Sequence, residues 1–353
     1  MAAGRRKLET RQPLMKILAI ETSCDETAAA VVCDAVEPDK RIISNVVNSQ
    51  AKLHSQYGGV VPENAARMHA ETIGAVVNES LRFAEITVDD IDVVAVTAGP
   101  GLIGGLLVGT VTAKTIALAK RKPIVAVNHL EGHLLTARLC YTVDCPYLLL
   151  LASGGHFMFV EVFAVGHYKV LGETLDDAAG EAFDKVARML GLAYPGGPEI
   201  ERCARNGDQT RFSYTMPLLR NPGCDASFSG IKTATKIHIE SIPNITDSDK
   251  NDIAASFQNI VTSSAVRQLS KAWHLTSSRP ARIVLAGGVA ANTELREKVA
   301  RFATQMKLET YFPPIALCSD NAAMIGWCAI ERISAGFEYS NPDFKTLPRW
   351  PLS

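Results

Sequence analysis

Two histidines four residues apart, His129 and His133 in the run His-Leu-Glu-Gly-His, are the first residues in this sequence with the spacing to do chemistry. On a helix, side chains at i and i+4 share a face and lie close enough to hold one metal ion. The pair follows an apolar strand pattern at Ile124–Val127, the position where α/β proteins place their ligands. Two ordinary histidines at a helix start are an equal reading of the pair alone, since this spacing arises often by chance. A zinc-protease helix is a different motif, with Glu directly after the first histidine. Here residue 130 is Leu. Glu131 lies about 200° around a helix from His129 and points elsewhere.

A carboxylate that completes such a pair stands far along the chain, in Cys318-Ser319-Asp320-Asn321. Asp320 reads most simply as the N-cap of the last helix. As a third ligand it would leave open metal positions for substrate oxygens. Ser153-Gly154-Gly155 joins two strand patterns, and small residues there let backbone N–H groups approach an anion; a plain hairpin turn has the same composition. Ala286-Gly287-Gly288-Val289-Ala290-Ala291-Asn292 runs from a strand into a helix, whose N-terminus favours anions. Asn292 offers both donor and acceptor there, or simply caps the helix. Asp176-Asp177 through Glu181 and Asp184 puts four acids in nine residues. Such a group needs cations, hydroxyls or helix N-termini to satisfy it, or is a solvated helix start. Asp184 is a candidate acceptor for ribose hydroxyls, and the rigid loop Tyr194-Pro195-Gly196-Gly197-Pro198 is a candidate wall for a nucleotide.

The elements that must position these residues come in two similar series. Lys16–Glu21 and Ala28–Val32 read as a hairpin around a polar turn, with Arg41–Asn48 as a third strand. Pro62–Phe83 has helical periodicity, Asp92–Thr97 is a buried strand, Ile103–Lys120 an apolar helix and His129–Leu139 another helix. The pattern restarts with Pro146–Ala152 and Phe157–Phe163 around Ser153–His156. Helices follow at Asp177–Leu190, Pro198–Arg205, Gly230–Glu240 and Asp249–His274, then strand Arg282–Ala286 and helices Asn292–Met306 and Asn321–Ser334. The expected architecture is α/β, with two similar lobes and a cleft between them. The expected division is a basic extension (residues 1–15), a first lobe (16–145) and a second lobe (146–353), with the last helix (320–335) packing back on the first lobe.

The 353 residues and 47% hydrophobic content suffice for a full core. A net charge of −1 gives no global attraction for nucleic acid or anionic membrane, so a nucleic-acid partner would need a local patch or a helper protein. The eight cysteines form no Cys-x-x-Cys pair and read as reduced thiols of a cytosolic or matrix protein. No apolar run is expected to span a membrane. The first sixteen residues are basic without an apolar core, a pattern of a disordered extension before a start near Met15, or of a mitochondrial targeting remnant.

The motifs also stand in a recognisable order. Lys16–Thr27 (KILAIETSCDET), Tyr57–Pro62 (YGGVVP), Gly99–Gly105 (GPGLIGG), Asn128–His133 (NHLEGH), Ser153–His156 (SGGH), Asp176–Lys185 (DDAAGEAFDK), Tyr194–Pro198 (YPGGP), Phe228–Lys232 (FSGIK), Ala286–Asn292 (AGGVAAN) and Cys318–Asn321 (CSDN) carry it. The chain resembles the TsaD family, the universal tRNA threonylcarbamoyltransferase subunit, formerly classed as a glycoprotein endopeptidase, from about Lys16 to Gly336. The resemblance implies the two-lobed fold of actin, heat-shock chaperone ATPases and sugar kinases (the ASKHA fold). It implies one divalent metal, iron or zinc, on His129, His133 and Asp320. It implies a site for threonylcarbamoyl-AMP made by Leu151, Ala152, Ser153, Gly154 and Gly155 with Asp184, Gly197 and Asn292, with Glu201 against the ribose. Glu26 is the candidate general base, and the departing phosphate is the alternative.

The implied reaction moves the threonylcarbamoyl group to N6 of the adenosine 3′ to the anticodon in tRNAs reading codons that begin with A. Implied partners are tRNA plus a degenerate paralogue and a small P-loop ATPase in a bacterial setting, or a second copy in a mitochondrial one. The tail Pro348–Leu352 resembles bacterial members, favouring the cytoplasm over the matrix. A kinase or ATPase of the same fold is the alternative, but its first loop usually carries a glycine-rich turn, whereas Glu21–Glu26 is acidic and bulky. CSDN stands where CTDN is commoner, and Arg211–Asn221 matches no pattern of the family.

Overall fold

A computed structural model describes residues 14–352. Residues 1–13 of the expected basic extension lie outside the described residues. The first series is β1 (Lys16–Glu21), β2 (Glu26–Cys33), β3 (Ile42–Ser49), α1 (Ala51–Ser55), α2 (Pro62–Phe83), β4 (Val93–Gly99), α3 (Ile103–Lys120), β5 (Ile124–Asn128) and α4 (His129–Cys140). The second is β6 (Tyr147–Ala152), β7 (Phe157–Ala164), β8 (His167–Glu173), α5 (Ala179–Met189), α6 (Gly196–Ala204), α7 (Ser229–Glu240), α8 (Asp247–Leu275), β9 (Arg282–Ala286), α9 (Thr293–Met306), β10 (Glu309–Tyr311) and α10 (Ala322–Ser334).

The two sheets repeat one topology. In the first, ordered β3-β2-β1-β4-β5, β1 pairs antiparallel with β2 and parallel with β4. In the second, ordered β10-β9-β6-β7-β8, β6 pairs antiparallel with β7 and parallel with β9. Each sheet is thus a three-strand meander extended by two parallel strands. The central strands are apolar on both faces, as strands covered by helices must be. α2 and α3 cover one face of the first sheet, and α4 and α10 the other. The second sheet buries one face under α5, α6, α8 and α9 and the other against α4. Helix α4 is therefore packed on both sheets: Leu135 and Leu139 face the first, Leu130 and Leu134 the second.

The structure departs from the sequence reading in several places, the five-residue α1 among them. β8 was not expected, because its residues are largely exposed on the sheet edge and carry no apolar run. Three-residue β10 is too short to leave a pattern. The segment expected as the loop Tyr194–Pro198 opens α6 at Gly196. Finally, α3 has the length and composition of a membrane span, against the expectation that no run does. It instead packs beside α2 on the first sheet, burying Leu106, Ala113 and Ala117.

Candidate functional site

The Asn128 side chain ends β5 and begins α4, its Oδ1 accepting from the Leu130 N–H at 2.9 Å. That cap sets His129 and His133 on the first two turns of α4, at the edge of the first sheet. Gly132, between them, lets α10 come close: a Cβ there would stand 2.9 Å from Ile325 Cδ1. The approach delivers the residues before α10 to the histidines. Asn321, not Asp320, is the N-cap of that helix, its side chain accepting from the Met324 N–H at 3.1 Å. This corrects the simplest reading of Asp320. Relieved of capping, Asp320 places Oδ1 3.1 Å from His133 Nε2 and 3.5 Å from His129 Nε2. The three donor atoms lie within 4.8 Å of one another.

Two imidazole nitrogens and a carboxylate oxygen are the donor set of zinc or non-haem iron sites with open positions. The residues fit such an ion in one further respect. Buried Glu21 meets His129 Nδ1 at 3.0 Å, leaving Nε2 for the side where Asp320 stands. Burial works to lower the His129 pKa, but the carboxylates of Asp320 and Glu21 outweigh it and hold it at about 9. The same attraction, against burial, holds Asp320 well below the usual carboxylate range. His156, at the end of the Ser153–His156 turn, is pushed down to about 4 by burial and by the neighbouring His129 and His133. Glu131 is turned away, accepting from Arg332 at 2.9 Å and from the Tyr168 hydroxyl at 2.8 Å.

The residues expected to hold an adenylate form a contiguous rim. At Ser153–Gly155 the turn is closed by Ser153 N–H donating to the His156 carbonyl at 2.8 Å, and Gly154 and Gly155 face open space. Two glycines brace it. A Cβ on Gly180, at the start of α5, would meet the Ser153 carbonyl at 2.7 Å, and one on Gly287 the Ala152 carbonyl at 2.4 Å. One turn along α5, Asp184 accepts from the Gly196 N–H at 2.7 Å and so holds the start of α6, where Gly197 faces open space. Glu201 on α6 accepts from the Thr293 N–H at 3.1 Å, beside Asn292.

Not every expected residue presents its side chain. Leu151 and Ala152 are fully buried in β6, Leu151 packing with α4, so they offer only backbone and position. Asn292 caps α9 by accepting from the Leu295 N–H at 2.9 Å and donates to Gln258 at 2.7 Å, which leaves it one amide hydrogen. The acidic run is satisfied as its chemistry requires. Asp176 accepts from the Phe228 and Ser229 N–H groups at the start of α7, and Asp177 pairs with Lys185 and Lys232. Asp184 has no cation partner among the described residues, and burial pushes its carboxyl up to about 6. Across the cleft, Glu26 opens β2. Burial and the nearby carboxylates of Asp320 and Asp25 push it well above the usual range. A cavity of about 320 Å³ lies between the two halves, lined by Ser55, Gly58, Asp184, Arg188 and Tyr194 among others.

Sequence reading missed Glu21, Thr97 and the position of His156 beside the histidine pair. An acid at the end of the otherwise apolar strand KILAIE was the available signal for Glu21.

Residues 41–327 match the family model TsaD, tRNA N6-adenosine threonylcarbamoyltransferase. A protein of that name from Rhodospirillum rubrum is 52% identical over 343 residues, spanning 96% of this chain and 94% of its own. Among solved structures, full-length HypF in its phosphate- and nucleotide-bound form aligns with TM-score 0.59 at 13% identity, over 92% of this chain and 47% of that one. The (R)-2-hydroxyglutaryl-CoA dehydratase component A of Acidaminococcus fermentans aligns with TM-score 0.52 at 15% identity, over 91% and 99%. These two share the fold, the two-lobed ASKHA type, and at that identity nothing more. With the family model and a full-length relative in agreement, the chain belongs to the TsaD family of tRNA N6-adenosine threonylcarbamoyltransferases.

Proposed function

We propose that this chain transfers the threonylcarbamoyl group of threonylcarbamoyl-AMP to N6 of the adenosine 3′ to the anticodon in tRNAs reading codons that begin with A. The observation that carries the reading is the convergence of His129, His133 and Asp320 beside the rim formed by Ser153–Gly155, Asp184, Gly197 and Glu201. One iron or zinc ion on the three side chains would supply Lewis acidity toward the phosphate and carbamate oxygens.

The rest falls to the chain itself. The exocyclic amine of adenosine is a weak nucleophile, so positioning and charge stabilisation carry the rate. The open amides of Gly154 and Gly155 suit the phosphate of the leaving AMP. Asp184, once ionised, suits a ribose hydroxyl. Glu26, whose carboxyl burial and the neighbouring acids push upward, is the candidate general base, and the departing phosphate remains the alternative.

Two rivals fit less well. A zinc-protease helix carries its general base inside the histidine motif, and the acid inside this one, Glu131, is held by Arg332 instead. A kinase requires a phosphate cradle in its first loop. Here the loop after β1 is pinned, Thr22 donating to the Gly105 carbonyl at 2.8 Å. The near-neutral charge supports a reading in which helper subunits dock the tRNA: a degenerate paralogue and a small P-loop ATPase, or a second copy in a mitochondrial setting. The bacterial relatives support the cytoplasm.

The test is mass spectrometry of digested tRNA after incubation with threonine, bicarbonate, ATP, the adenylate-forming enzyme and the partner subunits. Threonylcarbamoyladenosine is the expected product. Its absence from the complete mixture, with kinase or protease activity in its place, overturns the reading.

A further inference from the structure

The Glu21 carboxylate is fully buried at the end of β1, a costly place for a charge that no lysine or arginine of the described residues offsets. Its bonds explain why it is tolerated. Oε1 accepts from the Ser23 N–H, and Oε2 accepts from the Thr97 hydroxyl and faces His129 Nδ1 at 3.0 Å. Thr97 stands on β4, so two adjacent parallel strands fix the carboxylate from behind. An ionised carboxylate only accepts hydrogen bonds. The nitrogen facing it must therefore carry a hydrogen, with Ser23 Oγ 3.1 Å from the same Nδ1, so that a ring giving up its second proton to a metal frees the lone pair on Nε2, the atom 3.5 Å from Asp320 Oδ1. His133 lacks such support among the described residues: its Nδ1 is buried without a hydrogen-bond partner there.

We propose that Glu21 is a positioning residue for the metal-binding histidine pair, setting the tautomer and ring orientation of His129 through a Thr97–Glu21–His129 chain of hydrogen bonds. Fully buried behind His129, its carboxylate acts through that ring. It acts by presenting the His129 Nε2 lone pair, ready-made, to an ion shared with His133 and Asp320. A carboxylate behind a ligating histidine also raises the basicity of the ligating nitrogen, and loss of such a partner typically weakens metal binding about 10–100-fold. This inference rests on the metal reading given above and adds a residue to it.

The test uses cobalt(II) as the probe, with affinity measured by chelator competition at one pH and the visible spectrum of the bound ion recorded for each protein. Glu21→Gln keeps the shape but offers His129 an amide that can donate as well as accept, so the wrong tautomer becomes available. Cobalt affinity is expected to fall at least about tenfold and the ligand-field bands to shift. Thr97→Val removes the hydroxyl behind Oε2, leaves the carboxylate in place, and is expected to act a few-fold in the same direction. This milder variant also carries the test if Glu21→Gln does not fold. Variants that bind cobalt within about twofold of the unmodified chain, with the same spectrum, overturn the role of Glu21 and leave the metal site standing. An unmodified chain that binds no cobalt, or a His133→Ala variant that binds it equally well, overturns the metal reading itself and this inference with it.

Discussion

Arg332 of α10 holds Glu131 of α4 at 2.9 Å, on the side of the helix away from His129 and His133. The one acid inside the His-x-x-x-His run is thus a structural tie between two helices. Glu131→Gln should leave bound metal stoichiometric and keep tRNA modification, while costing about 1–3 kcal/mol of stability through the weakened buried bonds. Chemical denaturation and elemental analysis check both. Metal-dependent cleavage of casein that disappears in this variant would return the site to the proteases.

Removing a ligand should do the reverse. His133→Ala deletes one of three donors and, with Asp320 and His129 unable to close the set, should strip most metal from the purified chain while leaving the fold in place. Unchanged metal content by elemental analysis would refute the donor assignment.

Asp184 gives a pH dependence. Burial raises its pKa to about 6 from the ordinary 3.8, so the native state favours the protonated form. Its contribution to stability is fully present below pH 3.8 and is lost as pH rises through 6. Binding runs the other way, because the ionised carboxylate is the stronger acceptor for a ribose hydroxyl. AMP affinity should therefore rise between pH 5 and about 7, a trend that Asp184→Asn should flatten while weakening binding by about 1–3 kcal/mol at neutral pH. Calorimetric titration of both proteins across this range decides it. An identical pH profile in the variant would remove Asp184 from the ribose.

Gly287 has φ +91°, and a Cβ there would stand 2.4 Å from the Ala152 carbonyl, against the root of the Ser153–Gly155 turn. Gly287→Ala combines a disfavoured backbone with a displaced hairpin. It should cost about 1–3 kcal/mol in stability and weaken adenylate binding more than metal binding. Equal affinity for AMP in the variant, measured in parallel with metal content, would mean that the turn does not touch the nucleotide.

The near-zero net charge predicts modest tRNA affinity for this chain alone. Filter binding at physiological salt should detect weak association, and transfer should depend on added partner subunits. Full transfer by the isolated monomer would contradict this.

The parts whose causes are local could be read directly from the residues. Apolar strand patterns, the Pro62 helix start and the duplicated hairpin-then-helix order come from short-range periodicity and turn chemistry, and they led directly to two lobes. The His129–His133 pair was legible for the same reason, since the helix alone sets its spacing. What lay beyond it was decided by packing. Asp320 reaches the histidines because Gly132 lets α10 sit close on α4 and because Asn321 takes over the cap, neither of which the residue types alone decide. Leu151 and Asn292 looked equally available to a ligand in the sequence; the sheet interior and the α9 cap then engaged them. Glu21 was hidden most completely. Its role depends on a histidine 108 positions away and on a hydroxyl from a neighbouring strand. Only the parallel run β1-β4-β5, with β4 pairing to both neighbours, brings those three groups together at the ends of adjacent strands.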